Sequence, residues 1–190
     1  MKFDDLYNKY VNQSVLLVGG IHGDEPAGNL AAKEFIGFKN INVLWDINKT
    51  GKRRLHGVDP NRHFDLNDEL PEEENILKTI DILKPSLVIA MHEDDTTDQV
   101  YAYCSPDMKE KVQAVLAELN VKLAKSAIGD KTDKGVITRG HLPTKGTLER
   151  ALRKRGISSV TIETPVKVYD LEERVSLQVK IVKGLLKKLD

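Results

Sequence analysis

The apolar run Val15-Leu16-Leu17-Val18 is cut off by Gly19-Gly20. A short run bounded in this way predicts a strand buried on both faces, over 15–20. Pro26 follows at a place where a first helical turn tolerates it, and 27–35 predicts a helix. Residues 41–47 predict the next strand. The stretch 49–65 is polar and punctuated by Gly51, Gly57 and Pro60, so it predicts a long loop. Loops of that length in a compact domain are usually functional or disordered. Pro71–Leu83 predicts an amphipathic helix, with Ile76, Leu77, Ile80 and Leu83 on one face and Glu72, Glu73 and Glu74 at its positive end. Strands are expected at 86–91, 100–104, 121–127 and 157–162. Helices are expected at 106–119, 142–156 and 171–189.

Alternating strands and helices predict an α/β fold: a single catalytic domain over 1–190. Its central sheet is expected to be mixed and mostly parallel, with helices on both faces. A chain of 190 residues can bury a core unaided. Its 29 basic and 29 acidic residues balance, which argues against a nucleic-acid partner. Cys104 is the single cysteine, so no internal disulfide forms. The start, MKFDDLYNKY, lacks the apolar stretch of a leader, and no run approaches the roughly 20 apolar residues of a membrane helix. A soluble cytoplasmic protein without a membrane partner is expected. The sequence does not set the oligomeric state.

Ligands of open α/β sheets bind beyond the carboxyl ends of strands. Three expected strands end in reactive residues. The first runs into Ile21-His22-Gly23-Asp24-Glu25, another delivers Met91-His92, and a late one delivers Ile162-Glu163. His22 and Glu25, three apart at a loop-to-helix turn, can converge on one ion, and His92 adds a third ligand. Two imidazoles and a carboxylate leave a coordination position open, the mark of a catalytic metal. One Zn2+ per chain fits this set best, although manganese, cobalt and iron accept similar ligands. The plainer alternative is two surface histidines and a helix-capping carboxylate. Glu163 is then the expected general base, unless it merely pairs with a lysine or arginine.

A further cluster is Arg53-Arg54-Leu55-His56-Gly57-Val58-Asp59-Pro60-Asn61-Arg62. Arg62 offers a planar fork for a substrate carboxylate and Asn61 a donor beside it. Arg54 could lean toward the carbonyl oxygen where charge develops, and Asp59 could accept an N–H from a ligand histidine. A solvent-facing basic loop is the alternative, and it explains Asp-Pro-Asn-Arg less well.

Taken in order, His22-Gly-Asp-Glu25, Asp59-Pro-Asn61-Arg62, Met91-His92 and Ile162-Glu163-Thr164 resemble the motifs of the zinc carboxypeptidase superfamily. The likeness spans about 14–166 and is nearest to the succinylglutamate desuccinylase and aspartoacylase branch. It implies zinc on His22, Glu25 and His92, a substrate carboxylate on Asn61 and Arg62, and catalysis by Glu163. Arg54, seven residues before Asn61, matches an arginine that the acylase branch uses near the scissile carbonyl. Two departures stand out. Carboxypeptidases place a tyrosine upstream of the catalytic glutamate, whereas none lies between Cys104 and Glu163; His141 is a candidate substitute. The acylase branch also carries a β-rich C-terminal domain that narrows the site, whereas the 27 residues after Glu163 suffice for one helix, so the specificity of an aspartoacylase is not carried over.

The expected activity is zinc-dependent hydrolysis of an amide next to a free carboxylate. The substrate is either an N-acyl amino acid or a short peptide, the latter making the protein a metallocarboxypeptidase. An α/β protein that binds a metal or small molecule without turnover is the alternative from another class. A phosphate-binding loop is disfavoured, because Gly19-Gly20 and Thr50-Gly51-Lys52 lack Walker spacing. Cys104 reads as a buried small hydrophobe, and His56 and His63 as solvent-facing.

Overall fold

In the computed structural model, described over residues 14–66, 68, 70–127, 129–138 and 144–189, the apolar run at Val15–Gly19 forms strand β1, buried along its whole length. It pairs in parallel with β2 (Ile41–Leu44) on one side and β3 (Leu87–Asp94) on the other. Three further strands belong to the same sheet: β4 (Tyr101–Cys104), β7 (Val136–Ile137) and β8 (Ser158–Pro165). The order is β2-β1-β3-β8-β4-β7. β8 runs parallel to β3, and β4 is antiparallel to β8, which makes the sheet mixed. β5 (Ser126–Ala127) and β6 (Asp130–Lys131) form a separate two-stranded ribbon.

The helices are α1 (Pro26–Lys33), α2 (Pro71–Leu83), α3 (Lys109–Glu118), α4 (Leu148–Lys154) and α5 (Leu171–Lys187). Alternate residues of β1 enter different cores, as side-chain alternation along a strand requires. Val15 and Leu17 pack with Ala31, Ala32, Val112, Val115, Leu177, Ile181 and Leu185, from α1, α3 and α5. Leu16 and Val18 pack with Ile76, Leu77, Ile80, Leu148 and Leu152, from α2 and α4. Helices therefore cover both faces of the sheet, in agreement with the sequence. No helix among the described residues is long and apolar enough to cross a membrane.

Several expected elements differ in extent. The strand expected at 86–91 continues through Asp94, because His92 and Glu93 remain in register with Glu163 and Thr164. The strand expected at 41–47 stops at Leu44, and Asp46 adopts positive φ just beyond it. In place of a strand at 121–127, Leu123 makes an isolated bridge to Val100 and only Ser126 and Ala127 pair. The helix expected from 142 begins at Leu148. Gly146 adopts a φ of 82° and Thr147 caps the helix by accepting the Arg150 N–H.

α1 sits very close to the sheet. A Cβ built on Gly28 would lie 2.3 Å from the Met91 carbonyl oxygen, and one on Gly19 would lie 2.4 Å from the Gly28 oxygen. Only glycines permit this approach, and it brings the start of α1 to the end of β3.

Candidate metal centre and its cavity

His22 follows β1, Glu25 stands at the N-cap of α1, and His92 lies in β3. None is a surface residue: they are 4%, 4% and 3% exposed. Glu25 makes no side-chain capping bond to its helix. Its carboxylate faces the two imidazoles instead, with Oε1 2.7 Å from His22 Nδ1 and Oε2 2.8 Å from His92 Nδ1. The structure thus sets aside the picture of surface histidines and a capping carboxylate. One ligand atom from each of the three residues lies within 4.8 Å of the others, the only such group among the described residues.

The atoms fit a cation. The two Nδ1 atoms face each other at 3.3 Å, although two neutral imidazoles cannot both donate across that gap. A divalent ion between them and the carboxylate would take a lone pair from each. His22 Nε2 lies 2.9 Å from Asp59 Oδ1, the arrangement that fixes the tautomer of a ligating histidine. Asp59 is held in turn by the Asn61 N–H at 2.9 Å.

Electrostatics follow from crowding these groups together. Burial lowers the His22 imidazole, but Asp59 and Glu25 outweigh it and raise the group to about 9. Burial also opposes the charged form of His92, and Glu25 overcomes it. Glu25 is pushed up by burial and pulled down further by the two histidines, to about 2. Glu163 is pushed up to about 8, chiefly by burial, with His92 opposing and Glu25, Asp94 and Glu149 adding to the rise. A carboxyl group tuned toward neutral pH suits proton transfer.

A cavity of about 150 Å³ opens beside this cluster, and His22, His92, Asn61, Arg62 and Glu163 all line it. β8 supplies Glu163 directly opposite His92 in the β3–β8 register. Asn61 is buried and its Oδ1 accepts the Leu148 N–H at 2.9 Å, which leaves its amide NH2 for the cavity. Arg62 lines the cavity from an exposed position, with Nη1 donating to the Asn61 oxygen at 2.6 Å.

The two neighbouring arginines part company. Arg53 lines the cavity and donates from Nη1 to Glu25 Oε1 at 3.0 Å. Arg54 is exposed, donates to the Gly57 oxygen at 3.2 Å and is not among the lining residues. The structure therefore brings Arg53, rather than Arg54, to the site. His141 lies outside the described residues. Tyr103, Thr147, Glu149 and Arg153 also line the cavity and were not singled out in the sequence. Tyr103 stands on β4, one residue before Cys104, and so outside the stretch between Cys104 and Glu163 in which the resemblance places a tyrosine. Cys104 is buried at the cavity wall, and its thiol is pushed up to about 12, mainly by burial, which makes it inert.

No family model and no curated protein matches the chain. Several solved structures do. A candidate metallopeptidase from Shewanella denitrificans OS217 superposes with a TM-score of 0.75 at 26% identity, over 90% of this chain and 72% of that one. The murein-tripeptide amidase MpaA from Escherichia coli O157 gives 0.65 at 17% identity, over 94% and 83%. The D,L-carboxypeptidase Csd4 from Helicobacter pylori, in its mDAP-bound form, gives 0.73 at 19%, over 100% and 53%. At these identities the last two share the fold alone. The mixed, mostly parallel sheet covered by helices on both faces is the zinc-carboxypeptidase-like fold.

Proposed function

We propose that this protein is a zinc-dependent hydrolase that cleaves an amide bond next to a free carboxylate. The observation that carries the reading is the convergence of His22 Nδ1, Glu25 and His92 Nδ1 beside a cavity that also holds Glu163 and Arg62. His22, Glu25 and His92 would hold the ion. When bound, zinc supplies Lewis acidity toward a carbonyl oxygen and lowers the pKa of water toward about 7.

The chain's own groups account for the remaining chemistry. Arg62 and the Asn61 amide bind the substrate carboxylate and so place the adjacent amide carbonyl at the ligand cluster. The Glu163 carboxylate takes the proton of the attacking water and hands it to the leaving nitrogen. Arg53, which already lies against Glu25, is better placed than Arg54 to face negative charge developing on the carbonyl oxygen.

Two substrate classes present such a bond. The sequence resemblance favours N-acyl amino acids. The names of the structurally similar proteins, among them an amidase and a carboxypeptidase, favour short peptides with a free carboxylate.

The test pairs elemental analysis with a substrate panel covering both classes. Wild type purified without chelator should carry about one zinc per chain, and His92→Ala much less. Glu163→Gln should keep the zinc and the fold but lose on the order of 10²–10⁴-fold in turnover, because an amide cannot accept the proton. Metal equally absent from wild type and His92→Ala would end the reading. A metal-loaded wild type inactive on the whole panel would favour a binding protein without turnover.

A further inference from the structure

Two polar side chains of α5 grip the ligand-bearing segments from behind the site. Gln178 is fully buried, and its Nε2 donates to the His92 carbonyl oxygen at 2.8 Å. The same nitrogen lies 2.8 Å from Thr164 Oγ1, and that hydroxyl, on β8, donates to the same carbonyl at 3.4 Å. One turn earlier, Arg174 pairs through Nε with Glu93 Oε1 and donates from Nη1 to the Tyr169 oxygen at 2.6 Å. Glu93 Oε2 accepts the Ala27 N–H at 2.7 Å, in the first turn of α1. The Glu93 N–H donates to Glu25 Oε2 at 3.2 Å.

Residues four apart lie on one helix face, so Arg174 and Gln178 act on adjacent points of the chain. Gln178 holds the backbone of His92. Arg174, through Glu93, holds the turn that presents Glu25. Leu177, Ile181, Val182 and Leu185 of the same helix pack into the apolar core. Attaching α5 to the sheet does not require a buried amide or a buried ion pair. Both are costly to desolvate, and well-packed apolar residues often serve stability as well. Their place, directly behind two of the three ligands, calls for a reason other than packing.

We propose that Gln178 and Arg174 are positioning residues for the metal centre, setting the separation of His92 and Glu25 without touching ion or substrate. This rests on the zinc reading above. Partners one shell out from a metal's ligands commonly change affinity by about 10–100-fold when lost.

The experiment measures the zinc dissociation constant by chelator competition and the visible spectrum of the cobalt-substituted protein. It compares wild type, Gln178→Leu, Arg174→Met and Arg174→Lys, with Leu185→Ala as a core control on the same helix. Urea unfolding of each metal-free protein reports the purely structural effect. Gln178→Leu and Arg174→Met should each weaken zinc about 10–100-fold and alter the cobalt bands. Arg174→Lys, which keeps a cation for Glu93, should recover much of the affinity lost in Arg174→Met. Leu185→Ala should lower the urea midpoint while leaving zinc affinity and cobalt bands unchanged. Should Gln178→Leu fail to fold, the two Arg174 variants decide. Affinity within about twofold of wild type in the folded variants, or an equal loss in Leu185→Ala, overturns the proposal. A wild type that binds neither zinc nor cobalt is a different result: it removes the zinc reading itself, and this inference with it.

Discussion

Glu25 divides its carboxylate between two sets of partners. One oxygen faces His22 and Arg53, and the other faces His92 and the Glu93 amide. The charge balance of the cluster therefore depends on protons as well as on metal. Without metal, Glu25 raises His92, and Asp59 and Glu25 raise His22 to about 9, so His22 carries a proton near pH 7. The His22 contribution to folding is complete below the ordinary histidine value of 6.5 and is lost as pH rises to about 9. Glu25, lowered to about 2, has the opposite sign, and its contribution fades only as pH falls toward that value. Metal takes the neutral imidazole and must displace the His22 proton. Between pH 6.5 and 9, chelator-treated protein should lose stability in urea while zinc affinity rises; parallel trends would mean that other groups release the protons. At the mouth of the cavity, Arg62 makes the sharpest claim about substrate. A hydrogen bond to a charged group contributes about 1.5–3 kcal/mol. Amidating the substrate carboxylate should therefore cost wild type roughly 10- to 150-fold in kcat/KM. Arg62→Ala should lose little more on amidation, since its partner is already gone. Losses that simply multiply would show that Arg62 does not read the carboxylate. The cluster of His22, Glu25 and His92 was legible in the sequence because apolar runs lead into His22 and His92 and Glu25 stands three residues after His22. Which of Arg53 and Arg54 faces the cavity was not. That depends on a tight reversal, with a Leu55–Val58 bridge and positive φ at His56 and Gly57, in a loop without periodicity.

Between elements, the decisive contact is α1 on β1 and β3. Gly28 meets the Met91 carbonyl, one residue before His92, and α1 begins one residue after Glu25. A methyl group at position 28 would have to push α1 away from the sheet, and Glu25 would move with it. Gly28→Ala should thus cost about 1–3 kcal/mol of stability, as overpacked cores do, and weaken zinc as well. Leu30→Ala, on the exposed side of the same helix, should stay within about 0.5 kcal/mol and keep zinc affinity. Urea unfolding and chelator competition on both variants check this; an unchanged zinc affinity in Gly28→Ala would uncouple helix position from the ligands. The elements themselves were largely readable. α2 runs from Pro71 to Leu83, the bounds expected for it, and β1 stops one residue short of Gly20. The pattern misled where tertiary pairing took over. β3 runs on through His92, Glu93 and Asp94 because β8 holds them in register, which no periodicity of polar residues reveals. The apolar residues of 121–127 face a sheet that offers Leu123 only a single bridge, so they do not extend into a strand.

For the molecule as a whole, the centre joins segments far apart in the chain. Metal bound only by the folded form stabilises it by mass action, by about 4 kcal/mol at a thousand times the dissociation constant. Adding saturating zinc to chelator-treated wild type should raise Tm measurably, and His92→Ala should show little of that rise. Equal shifts in both would place the binding elsewhere. The fold class was legible because strand and helix patterns alternate over most of the chain. The antiparallel entry of β4 beside β8 was not, since strand direction depends on how the connection between them is routed. That placement of β8, between β3 and β4, also bears on the order in which the protein acquires its parts during synthesis. His22 and Glu25 emerge first, then Asn61 and Arg62, then His92, and Glu163 last of all. Yet until β8 emerges, the long side of β3 that will face it has no partner, and His92 lies in the stretch of β3 held in register by β8. On the proposed function, the strand that brings the base would also complete the frame for the ligands, so metal grip and proton acceptor would form together when β8 joins the sheet.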